Sequence, residues 1–406
     1  MKNLIKNLCI LGLILTATSA MADLKPTQKG GEARRTYGFY RDFFAAEKTL
    51  ERDYANFKQW LSQQAGLTYS IDVSFLGQRA APNGKGTPWQ TQYYGTANWD
   101  MFHSDTFGSG SAQIAYTAVR YWGKSAQGIN NRIGVISSFN DYTTNANYFD
   151  ELSYTHQLPG KLDSVSITVG QFPMYNFDGG SYDANQQVNF LNLALSQNAS
   201  DTYPSASLGG YITIAPTSAW SFSAGLQDAH NISGESISIH KFGKGKYTAF
   251  GSLTYSPTIE GIGQCTYSLL YYYQPSVDLQ PSDSNGWSLN LQQNFGTEWA
   301  VFARINGASN SLNTIKQSYV LGMVRNNPLG RNALDQIGLA GAINKLNKSV
   351  NGAGTRSVEN VLEAYWAWGV SNFLTLTPDI QFYINPGANP KHKTATVSSL
   401  RATLMF

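Results

Sequence analysis

Four polar residues near the C-terminus, Glu363, Asp379, Gln381 and Arg401, stand on the polar faces of three consecutive stretches in which apolar and polar residues alternate. Carboxylates accept hydrogen bonds, a guanidinium donates them in pairs, and an amide does both. Together they offer a neutral polar solute donors and acceptors at one place. If the three stretches pair as strands about 4.8 Å apart, the four side chains converge on one patch of wall. Arg304, Asp72 and Asp100 hold the same polar phase in other stretches, and Tyr94, Tyr211 and Phe302 add flat ring surfaces. In a water-filled interior each such exposed contact is worth only about 0.5–1.5 kcal/mol.

A second group lies in a segment without alternation. Phe172–Ala206 spans 35 residues and carries Tyr175, Phe177, Asp178, Tyr182, Asp183, Gln186, Gln187 and Asn189. Irregular loops beyond about 12–15 residues are unusual and often functional. Folded inward, this one would narrow an opening, with Tyr175, Phe177, Asp178 and Gln186 at the constriction. An exposed loop that closes the top is the competing reading.

The elements that must hold these groups are strands. From Leu67 onward the period is two: Leu67, Tyr69, Ile71, Val73 and Phe75 alternate with Thr68, Ser70, Asp72 and Ser74, and the pattern recurs to the C-terminus. Only 14 % of residues are charged, while 24 Tyr, 20 Phe, 9 Trp and 38 Gly give an all-β composition. In a soluble sandwich the apolar face would be the core; in a membrane barrel it faces lipid and the polar face lines water. Trp366 and Trp368, on an apolar face beside the tight link Ser371-Asn372, read as an interfacial aromatic girdle. In VSSLRATLMF, Leu400, Ala402, Leu404 and the terminal Phe406 share one face, as in a final strand read by barrel-assembly machinery. Both favour a transmembrane barrel.

Seventeen runs can be drawn as strands, but a single-chain barrel of this kind needs an even number. Short links at 158–161, 216–218, 296–297 and 371–372 fall on one side; long ones at 172–206, 228–246, 343–357 and 385–393 fall on the other. Reading 123–148 as one external loop, without a strand at Arg132–Asn140, leaves an antiparallel barrel of 16 strands over 67–406. Pro378 interrupts the run Leu374–Pro386 and predicts a bulge or a break in the hydrogen-bond ladder there.

Ahead of the barrel, Leu50, Tyr54, Phe57 and Leu61 recur at 4-3-4 spacing among charged residues. They predict an amphipathic helix within a periplasmic segment 23–66, ending near Gly66. Met1–Ala22 reads as an export signal: Lys2 and Lys6, the apolar Leu8–Ala17, and Ala20-Met21-Ala22 before Asp23. Its removal leaves 27 basic against 26 acidic residues, a net +1 that gives no case for nucleic-acid binding. Cys265 is then alone and forms no intramolecular disulfide. His103, His156, His230, His240 and His392 are scattered, no metal site or cofactor is expected, and no hydrolase, zinc-protease or phosphate-loop motif occurs.

Several stretches, taken in order, resemble the carbohydrate-selective outer-membrane porin family of the OprB type. They are KLDSVSITVGQF (161–172), DANQQVNFLNLALSQN (183–198), TYPSASLGGY (202–211), GWSLNLQQNFGTEWAVFAR (286–304), NPLGRNALDQIGLA (327–340) and ENVLEAYWAW…LTLTPDIQFYINPG (359–387). The resemblance implies a 16-stranded barrel that admits monosaccharides or small oligosaccharides by passive diffusion, without catalysis, as a monomer or homotrimer among outer-membrane lipid and lipopolysaccharide. Two other classes compete. A structural or adhesive barrel would have a plugged lumen and conduct almost nothing. A barrel hydrolase would need a His beside a Ser and an acid, which the strand map does not supply.

Overall fold

The computed structural model describes residues 31–406 except 236, 238, 311 and 390, with the backbone alone over 31–47 and at 240 and 241. The expected export signal therefore lies outside the described residues. The chain divides into two units at Gly66. Among its described residues the first contains one long helix, α1 (Gly31–Ala65), longer than the spacing of Leu50–Leu61 alone predicts. It stops at Gly66, whose φ of 64° only glycine adopts freely, and whose N–H closes on the Ser62 carbonyl at 3.0 Å.

The second unit is an antiparallel barrel. Its strands are β1 (Leu67–Ala81), β2 (Trp89–Ser104), β3 (Gly108–Trp122), β4 (Ala146–Gln157), β5 (Val165–Phe172), β6 (Ser207–Thr217), β7 (Trp220–Asp228) and β8 (Tyr247–Tyr255). They continue as β9 (Gly263–Gln274), β10 (Ser284–Phe295), β11 (Trp299–Ser309), β12 (Ile315–Asn326), β13 (Gln336–Leu346), β14 (Val358–Gly369), β15 (Leu374–Ile384) and β16 (Thr394–Met405). Each pairs with its sequence neighbours, and β16 pairs with β1, which closes the ring and leaves no free edge. Phe406 extends the seam, exchanging backbone bonds with Ile71 at 3.0 and 2.8 Å. A further two-residue strand, Thr258–Ile259, only tightens the β8–β9 turn. The stretch Arg132–Asn140 adds no strand: the β3–β4 link holds a short helix, α2 (Ala126–Ile133).

Outward positions carry the apolar residues. Leu362, Leu376, Ile380, Phe382 and Leu400 are exposed on successive strands, while Glu363, Thr377, Gln381 and Arg401 point inward. Trp366 and Trp368 stand on the outer face with ring centroids 5.2 Å apart, near the β14–β15 turn. Around Pro378 the β14–β15 ladder lacks its rungs at Trp366 and Ala367 but resumes in the same register at Trp368↔Leu376. The proline thus breaks the ladder without a bulge, because its missing N–H removes a rung and nothing shifts the count.

The turns between strands alternate in length. Those at the end that holds Leu67 and Phe406 are short, apart from the link at 327–335. There Arg331 bonds Asp335 at 2.6 Å, packs over the Trp368 ring at 4.1 Å, and donates to the Gly369 carbonyl. The opposite end carries the long links. Two of these, 123–145 and 173–206, are not solvent-exposed caps. Ile129, Ile133, Phe139, Phe190, Ala194 and Leu195 pack onto Phe302, Val320, Val361, Tyr365, Tyr383 and Val397 of the inner wall. Glycine makes room for the wall rings: a side chain at Gly322 would meet the Phe302 ring, and one at Gly338 the Tyr365 ring. The expectation of a lumen wet all round is therefore corrected; the wall from β11 to β16 is dry, because two loops bury their apolar residues against it.

Candidate functional site

The strand register brings the four expected wall residues together. Glu363 lies opposite Gln381, Asp379 opposite Ser399 and Arg401 opposite Thr377, all inward. They do not meet water. Glu363 and Gln381 are fully buried, and Arg401 and Asp379 are 1 % and 7 % exposed. The expectation of weak, wet contacts is overturned at this patch by the loop 173–206, which lies directly on it.

Asn192 is the centre of that contact. Glu363 accepts the backbone N–H of Leu191 at 2.5 Å and of Asn192 at 2.9 Å. The Asn192 amide nitrogen donates to Gln381 Oε1 at 3.2 Å and to the Tyr383 hydroxyl at 2.6 Å. Its amide oxygen caps the short helix α3 (Leu193–Ser196) by accepting from Ala194 N, and accepts the Ser137 hydroxyl from the other inserted loop. An asparagine at this helix start satisfies orphan N–H groups that would otherwise be buried unpaired.

Two arginines hold the flanks. Arg401 Nη1 donates to the carbonyls of Gln186 and Asn189. Arg304, fully buried, bonds Asp183 Oδ2 at 3.0 Å and the carbonyls of Asp183, Ala194 and Gln197. Arg304 and Arg401, expected at the wall of an open lumen, instead hold loop backbone. The planar guanidinium fork suits that task, since one side chain spans several carbonyls.

The loop 123–145 is anchored the same way by a residue the sequence reading overlooked. Glu359 accepts from Ile136 N at 2.9 Å, Ser137 N at 2.6 Å and Gly387 N at 2.6 Å. Gln381 and Gln78 both donate to the Phe139 carbonyl. A signal was present: Ile129, Ile133, Val135 and Phe139 are too apolar for a loop bathed in water.

Of the remaining expected residues, Asp72 is half-buried on β1, its carbonyl accepting from Gln187. Asp100 is exposed near the chain-terminus end of β2, bonded to Asn98 and remote from the patch by register. Phe302 is no open ring surface; Phe190 covers it with centroids 5.7 Å apart. Phe177 and Tyr211, each half-buried, pack edge to face with centroids 5.0 Å apart, and Phe250 lies beside both.

A cavity of about 690 Å³ runs between β2–β4 and the two inserted loops. Tyr94, Tyr142, Tyr148, Tyr175 and Tyr203 line it, as do Asp141, Asp178, Asp201 and Glu235, with Gln92, Asn145, Gln186 and Gln197 among the amides. No lysine or arginine is among its lining residues. Of the residues expected at a constriction, Tyr175, Asp178 and Gln186 line this cavity and Phe177 does not. Asp178 is held by Asn198, Tyr203 and Asn290. Burial pushes the loop carboxyls Asp141 and Asp201 up, to about 7 and about 8, with Asp178 adding repulsion at Asp201. Burial likewise keeps Tyr175 and Tyr203 protonated, as hydrogen-bond donors.

The comparisons with known proteins agree with this architecture. The profile of the carbohydrate-selective porin OprB family matches residues 240–406. Porin AaxA of Chlamydia caviae is 38 % identical over 352 residues, covering 84 % of this chain and 77 % of the relative. Porin AaxA of Chlamydia pneumoniae is 37 % identical over 364 residues, covering 89 % and 80 %. Among solved structures, the high-pH form of Pseudomonas putida OprB superposes with a TM-score of 0.71 at 17 % identity, covering 87 % of this chain and 97 % of that one, a likeness of fold. A closed barrel of 16 strands, an inward loop beside an off-centre cavity, and relatives that are porins, matched over most of their length, lead to one conclusion: the chain belongs to the OprB family of outer-membrane porins.

Proposed function

We propose that this porin passes small carbohydrates by diffusion through the off-centre opening, with no catalytic step. The carrying observation is the lining of that opening, where five tyrosines stand among carboxylates and amides. Ring faces accept the apolar face of a pyranose, and the amides and carboxylates bond its hydroxyls in pairs. Contacts of this sort are individually weak, which suits a pore, since a tightly held solute would not leave. Glu363, Asp379, Gln381, Arg401 and Arg304 enter this reading as the groups that seat the loop and so set the width of the opening. In the same reading Met1–Ala22 is removed on export, 23–66 lies in the periplasm, and Phe406 presents the last strand for assembly.

A second reading has its own observation, the four carboxylates and the absence of lysine and arginine from the lining. Where these carboxyls are ionised, a focused negative potential raises the local concentration of cations, so small solutes with a positive charge would pass more readily than anions of equal size. Planar-bilayer recording tests both. Glucose and linear glucose oligomers should block the ion current in a concentration-dependent way. Choline should carry current where an anion of its size does not. A barrel that conducts ions but is blocked by no sugar would reject the carbohydrate reading; one that does not conduct would reject both.

A further inference from the structure

A second, smaller cavity lies against the same wall, closer to the end of the barrel that holds Leu67 and Phe406. It measures about 350 Å³ and is bordered by Thr68, Ser70, Thr96, Asn98, Gln113 and Glu151. Tyr94 borders this inner cavity and the outer one of about 690 Å³ alike. Along β2 the outer cavity reaches Gln92 and the inner one Asn98, a separation of about 20 Å of strand.

A break in the strand register builds the boundary between them. The β3–β4 ladder shifts between Ala115 and Tyr116, where Asp150 is the extra residue. Such a bulge re-aims side chains, and here Asp150 and Glu151, consecutive in the chain, both reach inward partners. Thr117 Oγ1 donates to Asp150 Oδ2, and Thr117 is the cross-strand partner of Tyr94. Tyr175 of the inserted loop lies within hydrogen-bonding reach of both Asp150 and Tyr94. β2, β3, β4 and the loop therefore meet in one collar, with a cavity on either side of it.

The two cavities differ in chemistry. The inner one is bordered by a single carboxyl and by no lysine or arginine. Both oxygens of that carboxyl are engaged, Glu151 Oε1 by the Ser153 hydroxyl at 2.7 Å and Oε2 by Asn176 Nδ2 at 3.3 Å. Gln113 is used up as well: its nitrogen donates to Asn98 Oδ1 and Ser111 Oγ, and its oxygen accepts from Ser153 and Thr155. Bonds to a solute then fall to Ser70 and Thr96, which are cross-strand partners, and to Asn98, whose amide keeps one N–H beyond its bond to Asp100. Hydroxyls and an amide beside the Tyr94 ring suit a neutral polyol rather than an ion.

We infer that the inner cavity is a second station for a neutral sugar, that Tyr94 and Tyr175 form the collar between the two stations, and that a linear oligosaccharide is held at both at once. Ser70, Thr96 and Asn98 bond its leading ring while the following rings occupy the outer cavity. The inference deepens, and rests on, the reading of the outer cavity as a passage for carbohydrate.

Planar-bilayer recording of the full chain tests it, with glucose and its linear oligomers of increasing length as blockers. In the parent, block should tighten at least fivefold from glucose to the longer oligomers, because a chain held at two stations gains an effective concentration that a single ring lacks. Ser70→Ala with Thr96→Val removes both hydroxyls and should flatten that gain to less than twofold, in a barrel whose band still shifts on heating. Tyr94→Phe keeps the ring, cuts its tie to Tyr175, and should shorten the dwell of the longer oligomers at least threefold. Block that does not tighten with length in the parent, or a gain unchanged in the Ser70–Thr96 variant, would overturn the second station while glucose block still upheld the carbohydrate reading. A conducting parent blocked by no sugar at all would reject that reading and this inference with it.

Discussion

The Glu363 carboxylate receives the backbone N–H groups of Leu191 and Asn192 at 2.5 and 2.9 Å, joining the inner wall of β14 to the middle of the loop 173–206. A carboxyl that accepts two buried N–H groups contributes about 0.5–1.5 kcal/mol per bond, and its loss also orphans the donors. On the proposed reading the width of the opening follows from the loop's seat.

Glu363→Ala should loosen that seat. The expected outcome is a larger and noisier single-channel conductance, together with new protease cleavage within 185–198, in a barrel that still assembles. Asn192→Ala should act in the same direction but less, since it removes side-chain bonds and keeps the backbone ones. Conductance and cleavage equal to the parent in both variants would mean that the loop is held elsewhere.

Arg304 tests the other flank. It is fully buried against Asp183, and breaking a buried pair by removing one partner costs about 3–5 kcal/mol. Arg304→Met should lower the loop's resistance to proteolysis more than Arg304→Lys does, and Asp183→Asn combined with Arg304→Met should recover part of the loss. A double variant no better than the single one would deny the coupling.

The raised carboxyls predict a pH dependence. Burial holds Asp141 at about 7 and Asp201 at about 8, so both are neutral in mild acid and ionised in mild alkali. Cation preference, read from the reversal potential in a salt gradient, should rise between roughly pH 6 and pH 9. Asp141→Asn with Asp201→Asn should flatten that rise. A profile unchanged by the double variant would assign the charge to other groups.

Topology can be read on intact cells. In a Cys265→Ala background, cysteines at Lys244 and Gly354, in the links 229–246 and 347–357, should react with an impermeant thiol reagent. Cysteines at Thr297 and Asn372, in turns at the other end, should not. Reaction at the turns alone would invert the orientation.

The helix should be dispensable for the barrel. Every strand pairing lies within 67–406, and α1 belongs to the other unit. Deleting Phe43–Ser62 should leave a folded barrel whose band shifts on heating. Loss of folding would make α1 part of the assembly.

The barrel was legible in the sequence because its cause is local. Each strand alternates residue by residue, as in Leu374–Ile384, and each turn interrupts that period, so the strands follow from a one-dimensional pattern, and the even-number rule brings seventeen runs down to sixteen. The same pattern placed Glu363, Asp379, Gln381 and Arg401 on one inward face, which is where they lie. What they face is a different matter. Whether an inward carboxylate meets water or a loop amide depends on contacts such as Glu363 with Asn192, 171 positions apart in the chain. No local period encodes such a contact. Tertiary structure alone decided that the loops 123–145 and 173–206 bury their apolar residues on the wall, that this turns a wet patch into an anchorage, and that a cavity remains among Tyr94, Tyr148 and Asp201. The physical reason is that burying Ile133, Phe139, Phe190 and Leu195 is favourable only where a matching apolar surface exists, and that surface is assembled from side chains of six strands, β11 to β16.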